Sequence, residues 1–237
     1  MGNPLFPTRA STKVNPVWPT LHELADEGAL YIATNPTPGT AIATTTSVVD
    51  AGNSGATSAQ TRPVAIWYNS ATASDQAAKN IYPLYLSMTL GQVPTSATAW
   101  EMAMWLDPVG ASAYTSGGSQ ITPVGVNPDV STSTRLLMYF GAITAAATTS
   151  GARLVCRRKI NPAIPVTLDD WMFVFGGPTG ETNVLSGGAS VKRVTFPMPP
   201  LVIPPGYALK MGMWGAANAA APTWEFEMLY AERTPGL

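Results

Sequence analysis

Trp224-Glu225-Phe226-Glu227-Met228-Leu229-Tyr230 is the stretch that decides the fold class. Trp224, Phe226, Met228 and Tyr230 fall two apart, and Glu225 and Glu227 fall between them. A strand turns successive side chains to opposite faces, so this spacing predicts a β-strand with one face in a core and one toward water. The same period recurs upstream. Trp100, Met102, Met104 and Leu106 alternate with Glu101, Ala103, Trp105 and Asp107. Leu209, Met211 and Met213 alternate, as do Val194, Phe196 and Met198. In residues 153–160, Leu154, Cys156 and Ile160 oppose Arg157 and Lys159. Residues 81–90 predict a strand with Tyr82, Leu84, Leu86, Met88 and Leu90 on one face, and Pro83 puts it at an edge or a strand start. Val64–Tyr68 and Leu136–Phe140 are further apolar runs, and Trp171–Phe175 is a continuous one of the kind found in central strands.

Roughly eight to ten strands follow, with period two and one polar face, the pattern of antiparallel sheets covering a core. The 21 glycines and 22 prolines are spread along the chain and punctuate it into short segments. Connections of about 10–20 residues suit Greek-key crossing better than a simple meander. The expected architecture is therefore an all-β, antiparallel, two-sheet jelly-roll-like sandwich over residues 63–237. An immunoglobulin-like sandwich is the alternative, but its Cys…Trp…Cys framework is missing.

Residues 1–62 read differently. Residues 1–19 hold Pro4, Pro7, Pro16 and Pro19 and show no period, which predicts an extended arm lying along a surface. Thr20-Leu21-His22-Glu23 matches a capping box, and Gly28 stops the turn, so one short helix is expected near 21–27. Residues 33–61 run through Thr, Ala, Gly, Ser and Pro, as a long loop or flat edge structure.

Composition narrows the function. Apolar residues make up 46 % of the 237-residue chain, charged residues 11 %, and the net charge is −1. That balance excludes disorder and disfavours direct nucleic-acid binding, which needs a clustered basic surface. A single histidine and a single cysteine exclude a His- or Cys-rich metal site and a disulfide framework. No apolar run reaches the ~18 residues of a membrane span, so no membrane partner is expected. No secretory signal pattern opens the chain. No cofactor is expected.

The chemistry-bearing residues are sparse. His22 sits at a helix start without a nucleophile nearby and reads as a surface residue. Cys156, beside basic residues, reads as a buried structural thiol rather than a reactive one. Asp169-Asp170 suit a cation or acid–base work, but read better as solvated turn formers before a strand. Glu225 and Glu227 read as a solvent face rather than a hydrolytic pair. Arg153, Arg157, Arg158 and Lys159 form the basic cluster and read as a protein interface or plain surface. Gly176-Gly177-Pro178-Thr179-Gly180 is a turn, with no lysine after it to make a phosphate loop. Trp100, Trp105, Trp214 and Trp224 read as core or interface packing rather than sugar stacking. Trp105, Trp214 and Leu229 fall on otherwise polar faces, which points to an interface. The residues expected at interfaces are Pro4, Phe6, Pro16, Trp18, Trp105, Arg157, Lys159 and Trp214. No catalytic set is expected.

A resemblance joins these readings. Pro199-Pro200-Leu201-Val202-Ile203-Pro204-Pro205-Gly206-Tyr207-Ala208-Leu209 leads into Trp214, then through a small-residue turn to Trp224-Glu225-Phe226-Glu227-Met228 and Glu232-Arg233. This arrangement resembles the C-terminal part of jelly-roll structural proteins of tailed bacteriophages. Ile81-Tyr82-Pro83 and Phe173-Val174-Phe175-Gly176-Gly177 are similar to other stretches of them, so the resemblance spans residues 63–233. It implies a non-enzymatic virion component on the capsid surface, made in the bacterial cytoplasm. It implies a homotrimer that decorates or cements the capsid by binding across neighbouring copies of the phage major capsid protein. A receptor- or glycan-binding module of a head fibre or tail is the alternative.

Overall fold

The computed structural model describes residues 17–44, 61–71, 78–93, 100–130, 133–146, 148–161, 167–176, 183–185, 192–214 and 222–234. Pro4, Phe6 and Pro16 lie outside the described residues, as do the side chains of Trp18, Trp100, Lys159 and Trp214.

Among the described residues one α-helix, α1 (Val17–Asp26), precedes fourteen strands. These are β1 (Leu30–Thr34), β2 (Ile42–Ala43), β3 (Ala65–Asn69), β4 (Asn80–Gln92), β5 (Trp100–Asp107), β6 (Tyr114–Ile121) and β7 (Val124–Gly125). There follow β8 (Leu136–Ala145), β9 (Arg153–Asn161), β10 (Asp170–Phe175), β11 (Asn183–Leu185), β12 (Lys192–Met198), β13 (Ala208–Trp214) and β14 (Thr223–Arg233). The first sheet runs β11-β12-β10-β4-β14-β1-β7, with β2 also paired to β14; the second runs β6-β8-β3-β13-β5-β9.

Eight of these strands carry the architecture. Taken along the chain, β1, β3, β4, β5, β9, β10, β13 and β14 fall in the first, second, first, second, second, first, second and first sheet. Within the sheets they lie as β10-β4-β14-β1 and β3-β13-β5-β9, every pairing antiparallel. This double Greek-key interleaving makes the protein an all-β, jelly-roll-like two-sheet sandwich. β10 and β12 form a parallel pair, which the alternation did not announce.

The core lies between the sheets. It contains Trp67, Trp171, Trp224, Phe140, Phe173 and Tyr230, and eight methionines: Met88, Met102, Met104, Met138, Met198, Met211, Met213 and Met228. Phe140 stacks on Phe226 with centroids 4.3 Å apart, and Trp171 meets Trp224 at 4.8 Å. Unbranched, polarisable methionines fill the gaps that such large rings leave between two twisted sheets.

Helix α1 begins earlier than the capping box predicts. Pro19 is tolerated there because amides of the first helical turn need no intrahelical acceptor. Thr20 and Glu23 therefore stand inside the helix. The other end closes as expected: Gly28 takes a positive φ of 67°, with its N–H on the Ala25 carbonyl and the Ala29 N–H on that of Leu24. The helix packs Leu21, Leu24 and Ala25 onto Leu30, Tyr82, Leu84, Leu229 and Ala231 of the first sheet's outer face. Leu229 is thus covered by this helix.

Residues 30–34 and 42–43, expected in the arm and long loop, are strands. β1 pairs with β14 from Leu30↔Ala231 to Thr34↔Glu227, so the sandwich begins well before residue 63. β4 is interior rather than an edge. In its pairing with β14, Leu229↔Tyr85 is followed by Tyr230↔Pro83, which leaves Leu84 as the extra residue of a bulge. Tyr82 and Leu84 therefore face the helix, while Leu86, Met88 and Leu90 face the core. Pro83 sits at that irregularity, beyond the reach of β10, whose pairing with β4 stops at Tyr85.

The second sheet's outer face is covered too. Ile66, Tyr68 and Ala208 pack with Ala113, Ile143, Ala145 and Tyr139. Beside them lies a fully buried ion pair, Lys210 Nζ to Asp107 Oδ2 at 2.9 Å. Lys210 also donates to the Ala146 carbonyl, and Asp107 accepts from the Thr149 hydroxyl at 2.7 Å.

Candidate functional site

The bulge in β4 divides the first sheet's outer face. On one side lies the apolar half under α1. On the other, Tyr85, Ser87 and Thr89 face outward at every second residue. In register beside them stand Asp170 and Met172 of β10 and Glu225 and Glu227 of β14. One cross-strand row reads Asp170-Thr89-Glu225, and the next reads Met172-Ser87-Glu227-Thr34. These residues line a hollow of about 540 Å³, walled at one end by Asn35, Pro38 and Gly39.

The wall is held by Asn35. Its side-chain amide donates to the Thr40 carbonyl at 3.0 Å, and its Oδ1 accepts from the Phe226 N–H at 2.9 Å. The turn after β1 is thereby fastened across β14.

Two carboxylates of the hollow are oriented by neighbours. Asp170 Oδ1 accepts from Ser87 at 2.8 Å and, at longer range, from Thr89 at 3.5 Å. Glu227 Oε1 accepts from the Tyr85 hydroxyl. Burial above all, then the hydrogen bond and charge of Glu227, pushes the Tyr85 phenol well above its ordinary range. Tyr85 therefore stays a donor across the physiological range. The lining residues include no Lys, Arg or His. Among the described residues no group of three or more His, Cys, Asp or Glu is placed to hold a metal ion. The surface is one of fixed acceptors interleaved with hydroxyls that both donate and accept.

Asp169 and Asp170 are not solvated turn formers. They are 0 % and 8 % exposed, because β10 begins at Asp170 and runs between β4 and β12. Glu225 and Glu227 do face away from the core, yet into the hollow rather than onto open surface. The structure brings Asp170, Glu225 and Glu227 together in the hollow. Reading them separately missed this, and the clue available was the hydroxyl pattern Tyr85-x-Ser87-x-Thr89 at the same period.

The other candidates stay apart from the hollow. Trp105, expected at an interface, is 3 % exposed and packed with Ala103 on the second sheet. Arg153, Arg157 and Arg158 are exposed on β9, the last strand of that sheet, and Arg158 donates to the Pro197 carbonyl at 3.2 Å. Leu154 is exposed, not core-facing, because the β5–β9 register shifts between Met104 and Trp105. Cys156 is buried against Met198; burial pushes its thiol up and outweighs the opposing pull of Arg158. His22 is exposed and rims a second, apolar hollow of about 220 Å³ with Leu21, Ala25, Leu30 and Val126. Gly176 ends β10 with φ 68°, and residues 177–180 lie outside the described set. No described helix is long and apolar enough to cross a membrane.

Comparison with protein-family models, with curated proteins and with solved structures found no match to this chain. What the geometry defines is a class: a jelly-roll-like sandwich with a polar, acidic hollow on one outer sheet face.

Proposed function

We propose that the protein is a non-enzymatic virion component that decorates a phage capsid, binding as a homotrimer across neighbouring major coat subunits. The observation that carries this reading is the strand interleaving, since double Greek-key sandwiches of this kind build viral capsid and lectin domains. The phage resemblance over residues 63–233 supplies the virion context. Exposed Val124 and Val126, 58 % and 41 % accessible beside the apolar hollow, add a patch suited to a protein contact. The mechanism is mechanical: buried interfacial area staples adjacent capsomers, and binding only the assembled shell stabilises that shell by linkage.

Immunogold labelling of purified phage particles with antibody to this protein tests it. Label spread over the head is the expected result. Label confined to the tail or to one vertex would transfer the protein to the receptor-binding class, and unlabelled particles would remove both readings.

A further inference from the structure

We propose that the open edge of the second sheet, β9, docks onto the acidic hollow of a second copy of this chain. The contact supplies an interface for the homotrimer of the preceding reading and rests on that reading. Among the described strands β9 pairs with β5 alone, so one side of its backbone is open to a partner. Arg153, Leu154 and Arg157 are exposed along it, and Leu154 is one of four large apolar side chains that the described residues leave exposed. A second β9 is a poor partner, because arginines would face arginines across the join. The hollow is a better one. The Tyr85 and Ser87 hydroxyls already give their protons to Glu227 and Asp170, so what the hollow still offers is acceptors. Glu225 and Glu227 stand half-buried in it, two apart on β14, and the lining residues include no cation. A guanidinium carries five donors and no acceptor, in a fork that matches a carboxylate. Beside the hollow, Leu168 lies two residues before Asp170, exposed, with a φ of 73° and its N–H on the Leu90 carbonyl. The left-handed region is costly for a leucine, so the fold holds this apolar residue at the surface against its backbone preference. Each patch therefore joins an exposed leucine to charge of one sign, and the two signs are opposite. Such concentrations stand out in a chain with only 11 % charged residues. The patches belong to different sheets, so the contact is head-to-tail between unlike surfaces, the kind that closes into a ring when its rotation allows.

Sedimentation velocity of the full chain, over a range of protein concentrations, reads the contact. The expected result is a reversible oligomer that weakens as sodium chloride is raised, because ion pairs are screened, and that ignores EDTA. Arg153→Glu/Arg157→Glu and, separately, Glu225→Arg should each weaken self-association by about tenfold or more. An equal mixture of these two variants should associate again, since the unaltered hollow of one meets the unaltered edge of the other. Glu27→Gln, in the exposed ion pair with Arg233, leaves association unchanged. Unaltered thermal transitions show that the variants fold; should Glu225→Arg fail to, Glu225→Gln takes its place. A wild-type monomer overturns the proposal, as do folded variants that associate like the wild type or a mixture that stays monomeric. Dissociation by EDTA also overturns it, by giving the hollow to a metal ion. Immunogold labelling keeps the two readings apart. Labelled heads with a monomeric protein sink this contact alone, whereas unlabelled particles with the mixing result intact sink the capsid reading and leave the contact standing.

Discussion

Glu232 shows how one residue holds two parts of the chain together. It is 1 % exposed near the end of β14, and its Oε1 accepts from the Arg135 N–H at 2.7 Å, the Leu136 N–H at 3.2 Å and the Thr134 hydroxyl. Thr134 in turn meets the Tyr230 hydroxyl at 2.7 Å. The entry to β8 is thereby fixed to the last strand. Glu232→Ala strands these donors in a dry site, so we expect a loss of about 2–4 kcal/mol, read as a lower denaturant midpoint with an unchanged slope. A loss below about 0.5 kcal/mol, the scale of an ordinary surface change, would show that water takes over the carboxylate's place. Titration gives a second expectation at this scale. Burial raises Cys156 above its ordinary 9.0, and raises Tyr68, Tyr85 and Tyr230 above 10.0. A group with a raised folded value binds its proton more tightly when folded. Its contribution is complete below the unfolded value and is lost as the pH rises through the folded one. Stability should therefore hold through neutral pH and decline from about pH 9 upward, with a shallower decline in Tyr85→Phe. A stability curve flat to pH 11 would falsify this.

At the scale of elements, the second sheet is tied to its neighbours by charge. Lys210 on β13 and Asp107 on β5 are both fully buried, and each has a further partner in the 146–149 region. Removing one member leaves a desolvated charge, so Lys210→Met is expected to cost about 3–5 kcal/mol. The double variant Lys210→Met/Asp107→Leu should recover most of that, since two apolar side chains need no partner. A double variant as unstable as the single one would place the value of the pair in its bonds to the 146–149 segment. The alternation of residues made β5, β13 and β14 legible, and the continuous apolar run 171–175 made β10 legible as an interior strand. β6 was not legible. Its residues Tyr114–Ile121 are mostly polar and mostly exposed, and Gly117 and Gly118 take positive φ where the register against β8 shifts. A Cβ on Gly117 would meet the Ala142 carbonyl at 2.4 Å, so the glycine there answers a close approach that no periodicity reveals. β1 was missed because Leu30–Thr34 is short and falls between the helix expected near 21–27 and the loop expected over 33–61. The hollow was half legible. Its carboxylates stood out one at a time, but their meeting depends on the Leu84 bulge and on β10 lying beside β4, neither of which the spacing specifies.

For the molecule as a whole, segments ahead of residue 63 are part of the sandwich, since α1 lies on its first sheet and β1 is one of that sheet's strands. From Val17 onward the described chain belongs to the sandwich. α1 covers Tyr82, Leu84 and Leu229, and Glu27 reaches Arg233 on the last strand at 3.2 Å. β1 then inserts between β14 and β7. Residues 1–16, with Pro4, Phe6 and Pro16, precede all of this. Two truncations therefore separate attachment from folding. Removing residues 1–16 should leave the thermal transition within about 2 °C of the full chain, because a segment with Pro4, Pro7 and Pro16 and no hydrophobic period is not expected to supply a core element. If that segment reaches across coat subunits, the same truncation should weaken co-sedimentation with decorated particles. Removing residues 1–26 should behave differently. It exposes the apolar half of the first sheet's outer face, where each uncovered large side chain is worth about 1.5–3 kcal/mol. With Leu21 and Leu24 gone as well, a loss of several kcal/mol should appear as a transition lowered by roughly 10 °C, or as aggregation through the bared patch. Equal thermal stability of both truncations would mean that α1 is an accessory to the sandwich, and that the first sheet tolerates an open apolar face. Loss of the transition on removing residues 1–16 alone would instead make that segment part of the fold, and attachment could then not be assigned to it.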